Sequence, residues 1–455
     1  MRSFRKLDRR KFWKIVAFSA TVYALKKAPG AQRNQAKLAL HGGKPVRKSL
    51  LRARPFGPQF YGEEEKKQLL QVIQSKSPFR WWGFGPKRPQ KVLQFEREYA
   101  QYVGTKYALG VTSGTAALMT AMAALEVGPG DEVILPAWTW YACYDAIVLA
   151  GALPVFAEID ESFNIDPEDI ERKITPRTKV IMPVHLQGTP CDMDRVLAIA
   201  RKHNLKVLED CAQCVGGRYK GKPVGSFGDI GIYSFQLNKT ITSGEGGALV
   251  TNDPILFERA LRFHDVGVIR SPYTQILKGG RLASFASPNF RMSEFTAAVL
   301  IAQLHKLESI CKALRANFKA VRESLADLPN VRFRATPDLE GDLGVAVFLD
   351  MKTREKRNLF LRALWAENIA ASPPSGSAIL PIDPRIKTKA TVHPQWPSFT
   401  SKRGREIRYG KACCPRTIDI LGRYGGVGLD PCFSASDLSD IVKAIRKVYS
   451  ALKVS

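Results

Sequence analysis

Between Tyr107 and Thr251, short apolar runs alternate with longer helical stretches, and this alternation limits the fold more than any other feature of the chain. Tyr107–Val111, Val133–Leu135, Val180–Val184, Val207–Glu209 and Ala248–Thr251 have the length and apolar character of short buried strands. Thr115–Leu125, rich in alanine, and Asp192–His203 read as helices, and Gly128-Pro129-Gly130-Asp131 reads as a turn. Strand and helix in alternation predict an α/β architecture with a mainly parallel sheet. Further helices are expected over residues 62–75, where Glu63, Glu64 and Glu65 suit a helix start, and from Glu294 to about Leu325. A chain of 455 residues exceeds one compact core. We expect an N-terminal extension at 1–55, a large domain at 56–325 and a smaller α/β domain at 326–455 that ends in the helix Ser436–Leu452.

The extension holds 16 of the 69 Lys and Arg residues and one acid, Asp8, so it carries 16 − 1 = +15 of the net charge of +27. A basic arm of this kind suits an anionic surface or ligand. No zinc-finger, RNP or basic-zipper signature accompanies it, so nucleic acid is not an expected partner. Arg9-Arg10 followed by the apolar stretch Ile15–Leu25 is similar to a twin-arginine export signal, but no clean A-x-A cleavage site follows. The expected location is therefore the cytoplasm, with twin-arginine export or membrane contact through residues 1–40 as the alternative. No apolar run approaches the roughly 20 residues of a membrane-spanning helix. Cys211 and Cys214 form a C-x-x-C without a second pair at zinc spacing, so two small buried side chains are expected there and no metal.

Four local signals fall in a consistent order. Ser113-Gly114-Thr115 stands between a strand and a helix, where free N–H groups and a close-approaching backbone suit a phosphate. Taken alone, this is equally an ordinary N-cap. Trp138-Thr139-Trp140 follows the next strand and offers a flat face to a planar ring, although a core aromatic would look the same. Asp210 ends the strand Leu205–Glu209, on the edge where open α/β sheets bind ligands. A carboxylate there can hold a proton on a ring nitrogen, which is the electronic need of pyridoxal phosphate. Lys239 lies in the Gly-rich turn between Ser234 and Gly247, and a desolvated lysine is a candidate Schiff-base nucleophile.

The stretches SGTAAL (113–118), GPGDEVILPAWTW (128–140), PVHLQG (183–188), EDCAQCVGGRYKGKPVG (209–225), YSFQLNKTITSGEGG (233–247) and PNFRMSE (288–294) together resemble the DegT/DnrJ/StrS aminotransferases. These are fold-type-I pyridoxal-phosphate enzymes of amino-sugar and polysaccharide biosynthesis. The resemblance implies a seven-stranded, mainly parallel sheet between helices. It makes Lys239 the Schiff-base lysine and Asp210 the partner of the pyridinium nitrogen. Trp140 would stack on the ring, Gln213 would lie beside it, and Ser113, Gly114, Thr115 and Ser234 would hold the phosphate. Asn289 would reach that phosphate from the neighbouring subunit of a homodimer. The implied reaction aminates a nucleotide-linked keto-sugar or a keto-cyclitol, with glutamate or glutamine as donor. Relatives with His at the lysine position are dehydratases, so Lys239 favours transamination over a dehydratase or a non-catalytic paralogue. Residues 368–396 match weakly where relatives shape the substrate pocket, and Leu38–Arg47 resembles the start of aminocyclitol and amino-hydroxybenzoate members.

Overall fold

The structure is a computed structural model and describes residues 37–84 and 90–452. Arg9-Arg10, the stretch Ile15–Leu25 and part of the aromatic loop 79–90 lie outside the described residues. Seven strands form the main sheet: β1 (Tyr107–Val111), β2 (Glu132–Pro136), β3 (Leu153–Ala157), β4 (Thr178–Ile181), β5 (Lys206–Asp210), β6 (Ile230–Ser234) and β7 (Gly247–Thr251). Their order across the sheet is β1-β7-β6-β5-β4-β2-β3. Strands β6, β5, β4, β2 and β3 pair in parallel, and β7 runs antiparallel to both of its neighbours.

Connection chemistry accounts for this pattern. Parallel neighbours need a crossover; helices supply it from β2 to β5, and residues 211–229 cross from β5 to β6 without one. Helix α1 (Glu63–Ser75) and helix α2 (Lys91–Val103) precede the sheet; α3 (Gly114–Ala124), α4 (Tyr141–Leu149), α5 (Pro167–Lys173) and α6 (Met193–His203) link the first strands. Residues 235–246 close as a turn in which the Phe235 N–H donates to the Gly246 carbonyl, so the chain doubles back and β7 is antiparallel to β6. The period of two in each strand then sorts side chains onto opposite faces. Leu109, Val111, Ile230, Ile232 and Leu249 join one core with α3, α4 and α7 (Pro254–His264). Ala108, Tyr233, Ala248 and Val250 join another with α2 and the start of α8 (Glu294–Glu323).

The expected strand at Val180–Val184 is shorter than its apolar run: pairing stops at Ile181, and Val184 makes only a single bridge to Asp210. Pro183 interrupts the run, and its carbonyl accepts from the Asp210 N–H at 2.9 Å. Strand β3 and helices α2 and α4 lie in stretches that the alternation left unassigned.

The C-terminal part has its own core. Strands β8 (Ala346–Asp350) and β9 (Tyr424–Gly428) pair antiparallel. Helix α9 (Arg354–Ala366), helix α11 (Ala435–Ala451) and the end of α8 close over them through Phe318, Val321, Phe360, Leu364, Ile441 and Ile445. Helix α10 (Pro415–Arg423) leads into β9. Residues 38–53, grouped with the extension by their charge, lie on this core. Leu38 is buried there, and Leu51 exchanges backbone hydrogen bonds with Asn368 and Ala370 at 2.9 Å. The buried Glu367 carboxylate accepts from the N–H groups of Ala39 and Val46 and from Lys447 Nζ.

Candidate active site

The C-terminal ends of β1, β2, β4, β5 and β6 lie on one edge of the sheet, together with the start of β7. A cavity of about 640 Å³ opens there, lined by Ser113, Gly114, Thr115, Trp140, Asp210, Gln213, Ser234 and Lys239 among others. Eight of the nine residues singled out from sequence thus meet in one place.

The first wall is the start of α3. Ser113 caps the helix, its hydroxyl accepting from the Ala116 N–H at 3.0 Å. The N-cap reading of Ser113 is therefore correct for its side chain, and the cap leaves the earlier N–H groups of the helix turned to the cavity edge. Glycines let this helix start meet the neighbouring strands. A Cβ on Gly114 would stand 2.7 Å from Ser234 Cβ, and one on Gly247 would stand 2.3 Å from the Ser113 carbonyl oxygen. Helix N–H donors and the Ser234 hydroxyl converge as an anion cradle that larger residues would fill. This fits a phosphate.

Asp210 forms the floor. It is 3 % exposed, and burial raises its carboxyl above the ordinary range despite opposing help from the Ala212 N–H, Cys143 and the Lys239 charge. The Ala212 N–H donates to Oδ1 at 2.9 Å, and the Cys143 thiol donates to Oδ2 at 3.1 Å. Lys239 faces it from the β6–β7 turn. Burial lowers the Lys239 ammonium below its usual 10.5, with Asp210 and then Cys143 pulling it back up. The turn is fixed by Phe235 N–H to the Gly246 carbonyl at 2.8 Å and Thr242 Oγ1–H to the Phe235 carbonyl at 2.9 Å.

The two tryptophans separate. Trp138 is 2 % exposed and packs edge-on against Phe163, whereas Trp140 is 54 % exposed and stands at the cavity wall. Gln213 reaches the C-terminal part, its Nε2 donating to Ser377 Oγ at 2.9 Å. Gln187 Nε2 donates to the Ser375 carbonyl nearby, and Ala378 and Ile379 pair with Thr139 and Trp138. The weakly matching segment 368–396 therefore crosses the cavity and contributes Gly376 to its lining. Cys143, Gln187 and Ser377 escaped sequence reasoning. Cys143 lies three residues after Trp140, one helical turn from a residue already singled out, and that spacing was its available signal.

Asn289 is not brought into the cavity of its own chain. It is exposed, bridges to Asp265, and its Oδ1 accepts from the Arg291 N–H. Cys211 and Cys214 are buried in the second core, as two small apolar side chains would be. Ligand atoms of His185, Glu209 and Cys211 lie within 4.8 Å of one another. They are already engaged: Glu209 accepts from the N–H groups of Gly225, Phe227 and Gly228, and His185 bonds the Cys191 N–H and Glu209.

An anion cradle, a buried carboxylate and a lysine of lowered ammonium stability, grouped around one cavity, fit pyridoxal phosphate: a phosphate, a ring nitrogen and an aldehyde. Known proteins agree. GDP-perosamine synthase of Vibrio cholerae is 40% identical over 276 residues, covering 60% of this chain and 71% of that protein. The spore coat polysaccharide biosynthesis protein SpsC of Bacillus subtilis (strain 168) is 33% identical over 400 residues, covering 87% and 96%. The crystal structure of 3-amino-5-hydroxybenzoic acid (AHBA) synthase superposes with a TM-score of 0.72 at 28% identity, covering 89% of this chain and 100% of that one. The profile of the DegT/DnrJ/EryC1/StrS aminotransferase family matches residues 60–378. This chain belongs to that family and is a pyridoxal-phosphate-dependent aminotransferase with the fold-type-I architecture.

Proposed function

We propose that the enzyme transfers an amino group from glutamate or glutamine to the carbonyl carbon of a nucleotide-linked keto-sugar. The observation that carries this reading is the meeting of Lys239, Asp210 and the Gly114–Ser234 cradle in one cavity. When bound, pyridoxal phosphate supplies an aldehyde that receives and hands on the amino group, and a ring that acts as an electron sink. Lys239 would hold the cofactor through Nζ, and its amine, when free, is the group placed to take up and return a proton in the cavity. Asp210 keeps the ring nitrogen protonated. Trp140 would stack on the ring face and Gln213 would lie beside the ring, both lining the cavity that would hold it. The N–H groups of Gly114 and Thr115, with the Ser234 hydroxyl, hold the phosphate. Asn289 completes the phosphate contacts from a second copy of the chain, so the working unit is a homodimer with shared sites. Residues 56–325 carry the cofactor, and residues 326–455 form the smaller domain.

The names of the relatives support a sugar acceptor: one is a synthase of the nucleotide-linked sugar GDP-perosamine, and the other serves spore coat polysaccharide biosynthesis. A relative from Micromonospora echinospora, named as a putative L-glutamine:3-amino-2,3-dideoxy-scyllo-inosose aminotransferase, favours a keto-cyclitol as the second reading. Activated sugars and glutamate place the reaction in the cytoplasm; fusing residues 1–40 to a folded reporter tests the twin-arginine alternative, and export lost on Arg9→Lys with Arg10→Lys would establish it. The substrate test is a panel of nucleotide-linked keto-sugars and keto-cyclitols, each incubated with glutamate or glutamine and assayed for the aminated product. Turnover of a keto-sugar supports the proposal. Turnover confined to keto-cyclitols replaces it with the second reading, and amination of neither rejects both.

A further inference from the structure

Cys143 is buried at the start of α4, borders the cavity, and takes part in no step described above. Its sulfur stands 3.1 Å from Asp210 Oδ2 and 3.2 Å from Thr139 Oγ1. A thiol has one hydrogen. Burial first and the Asp210 charge second hold the Cys143 proton far more tightly than in a free thiol, so the sulfur keeps it. That hydrogen points to Oδ2, and the contact to Thr139 must then be made by the Thr139 hydroxyl donating to sulfur. A directed chain results: Thr139 O–H to Cys143 Sγ, Cys143 S–H to Asp210 Oδ2. The other carboxylate oxygen is held by the Ala212 N–H.

We propose that Cys143 is a positioning residue that sets the orientation of the Asp210 carboxylate, and thereby its hold on the bound cofactor ring; this rests on the reading of Asp210 given above. Two donors from different elements fix the plane of the carboxylate. One comes from the backbone just after β5 and the other from α4, so rotation of the carboxylate breaks a bond on either side. A thiol is also a weak donor. Even so, it restrains Oδ2, which is what holds the carboxylate plane against the ring nitrogen. Among the described residues neither Lys239 nor the neighbouring His185 makes a hydrogen bond to the Asp210 carboxylate oxygens. Cys143 is thus the one side chain among the described residues that does.

The test uses the cofactor-loaded enzyme and two readouts besides activity: cofactor dissociation constant, and the pH midpoint of the bound cofactor's absorbance change. Cys143→Ala, Cys143→Ser and Asp210→Asn are compared with the parent. Loss of one hydrogen bond of ordinary strength, as from a weak thiol donor, predicts about fivefold to tenfold weaker cofactor binding in Cys143→Ala. The absorbance midpoint shifts in the same direction as in Asp210→Asn but by less, and Cys143→Ser restores most of both. An unchanged spectrum and affinity in Cys143→Ala, or a serine variant no better than alanine, overturns the proposal. If Asp210→Asn itself leaves the spectrum unchanged, the reading of Asp210 fails, and the role of Cys143 fails with it. Thr139→Val covers the case in which Cys143→Ala does not fold. It leaves the thiol in place but removes the hydroxyl that orients it. The same direction of spectral shift supports the proposal, and none contradicts it.

Discussion

Asp210 and Lys239 line one cavity, and burial acts on them with opposite sign. It raises the carboxyl and lowers the ammonium, while each charge partly restores the other. Two outcomes follow at this scale. Asp210→Asn should fold normally but slow the amino-donor half-reaction by about 10²–10⁴-fold, the cost typical of losing an electrostatic or acid/base partner; near-normal rates in a stopped-flow assay would reject the role. The second concerns pH. Only the neutral amine of Lys239 attacks an aldehyde, so cofactor uptake by the apoenzyme rises with pH. Its midpoint should lie below 10.5, because burial disfavours the ammonium. Removing the Asp210 charge takes away the first of the groups that favour the ammonium, so Asp210→Asn should move the midpoint lower still. An upward move, read from absorbance-monitored uptake across pH, would contradict this account. Asp210 and Lys239 were legible because each stands at a strand end or in a Gly-rich turn, where local sequence announces the position. Cys143 was not, because its partner Asp210 is distant in sequence and the contact exists only once α4 packs beside β5.

At the scale of elements, the site is an edge where five strand ends and one helix start converge, and glycine permits the closest approach. Gly114→Ala would drive a methyl to 2.7 Å from Ser234 Cβ. We expect a folded enzyme with cofactor affinity reduced about tenfold or more, the loss of one or two charge-assisted hydrogen bonds, measured by titrating apoenzyme with cofactor. A second element-level outcome concerns the segment 38–53. Glu367 is fully buried and satisfies two backbone N–H groups of that segment and Lys447. Glu367→Ala leaves a buried ammonium and two unpaired donors, so stability should fall by about 2–4 kcal/mol in denaturant titration with turnover nearly unchanged. The strands flanking the site could be read from their short apolar runs. Strand β3, Leu-Pro-Val-Phe-Ala, carries a proline and sits on the edge of the sheet, where a missing N–H is tolerated but the sequence signal is weak. Residues 375–379 were equally hidden: their pairing with Trp138 and Thr139 spans more than 200 residues of sequence and leaves no local periodicity.

For the whole molecule, charge and assembly remain the organising questions. No helix among the described residues is long and apolar enough to cross a membrane. Asn289 lies exposed, outside the cavity of its own chain, which is where a residue serving a partner's site would be found. Mixing Lys239→Ala and Asn289→Ala subunits should restore part of the activity that each has lost, because one site of the mixed dimer is then intact; no recovery after verified subunit exchange would argue against sharing. The general architecture was legible from alternation, whereas the assignment of Asn289 to a partner's site rests on resemblance alone. The central claim is that Lys239 holds the cofactor. Reduction of the loaded enzyme with borohydride, digestion and peptide mass spectrometry test it directly. The account predicts a pyridoxyl-phosphate mass on the peptide containing Lys239 and none in Lys239→Ala; label on any other lysine would contradict it.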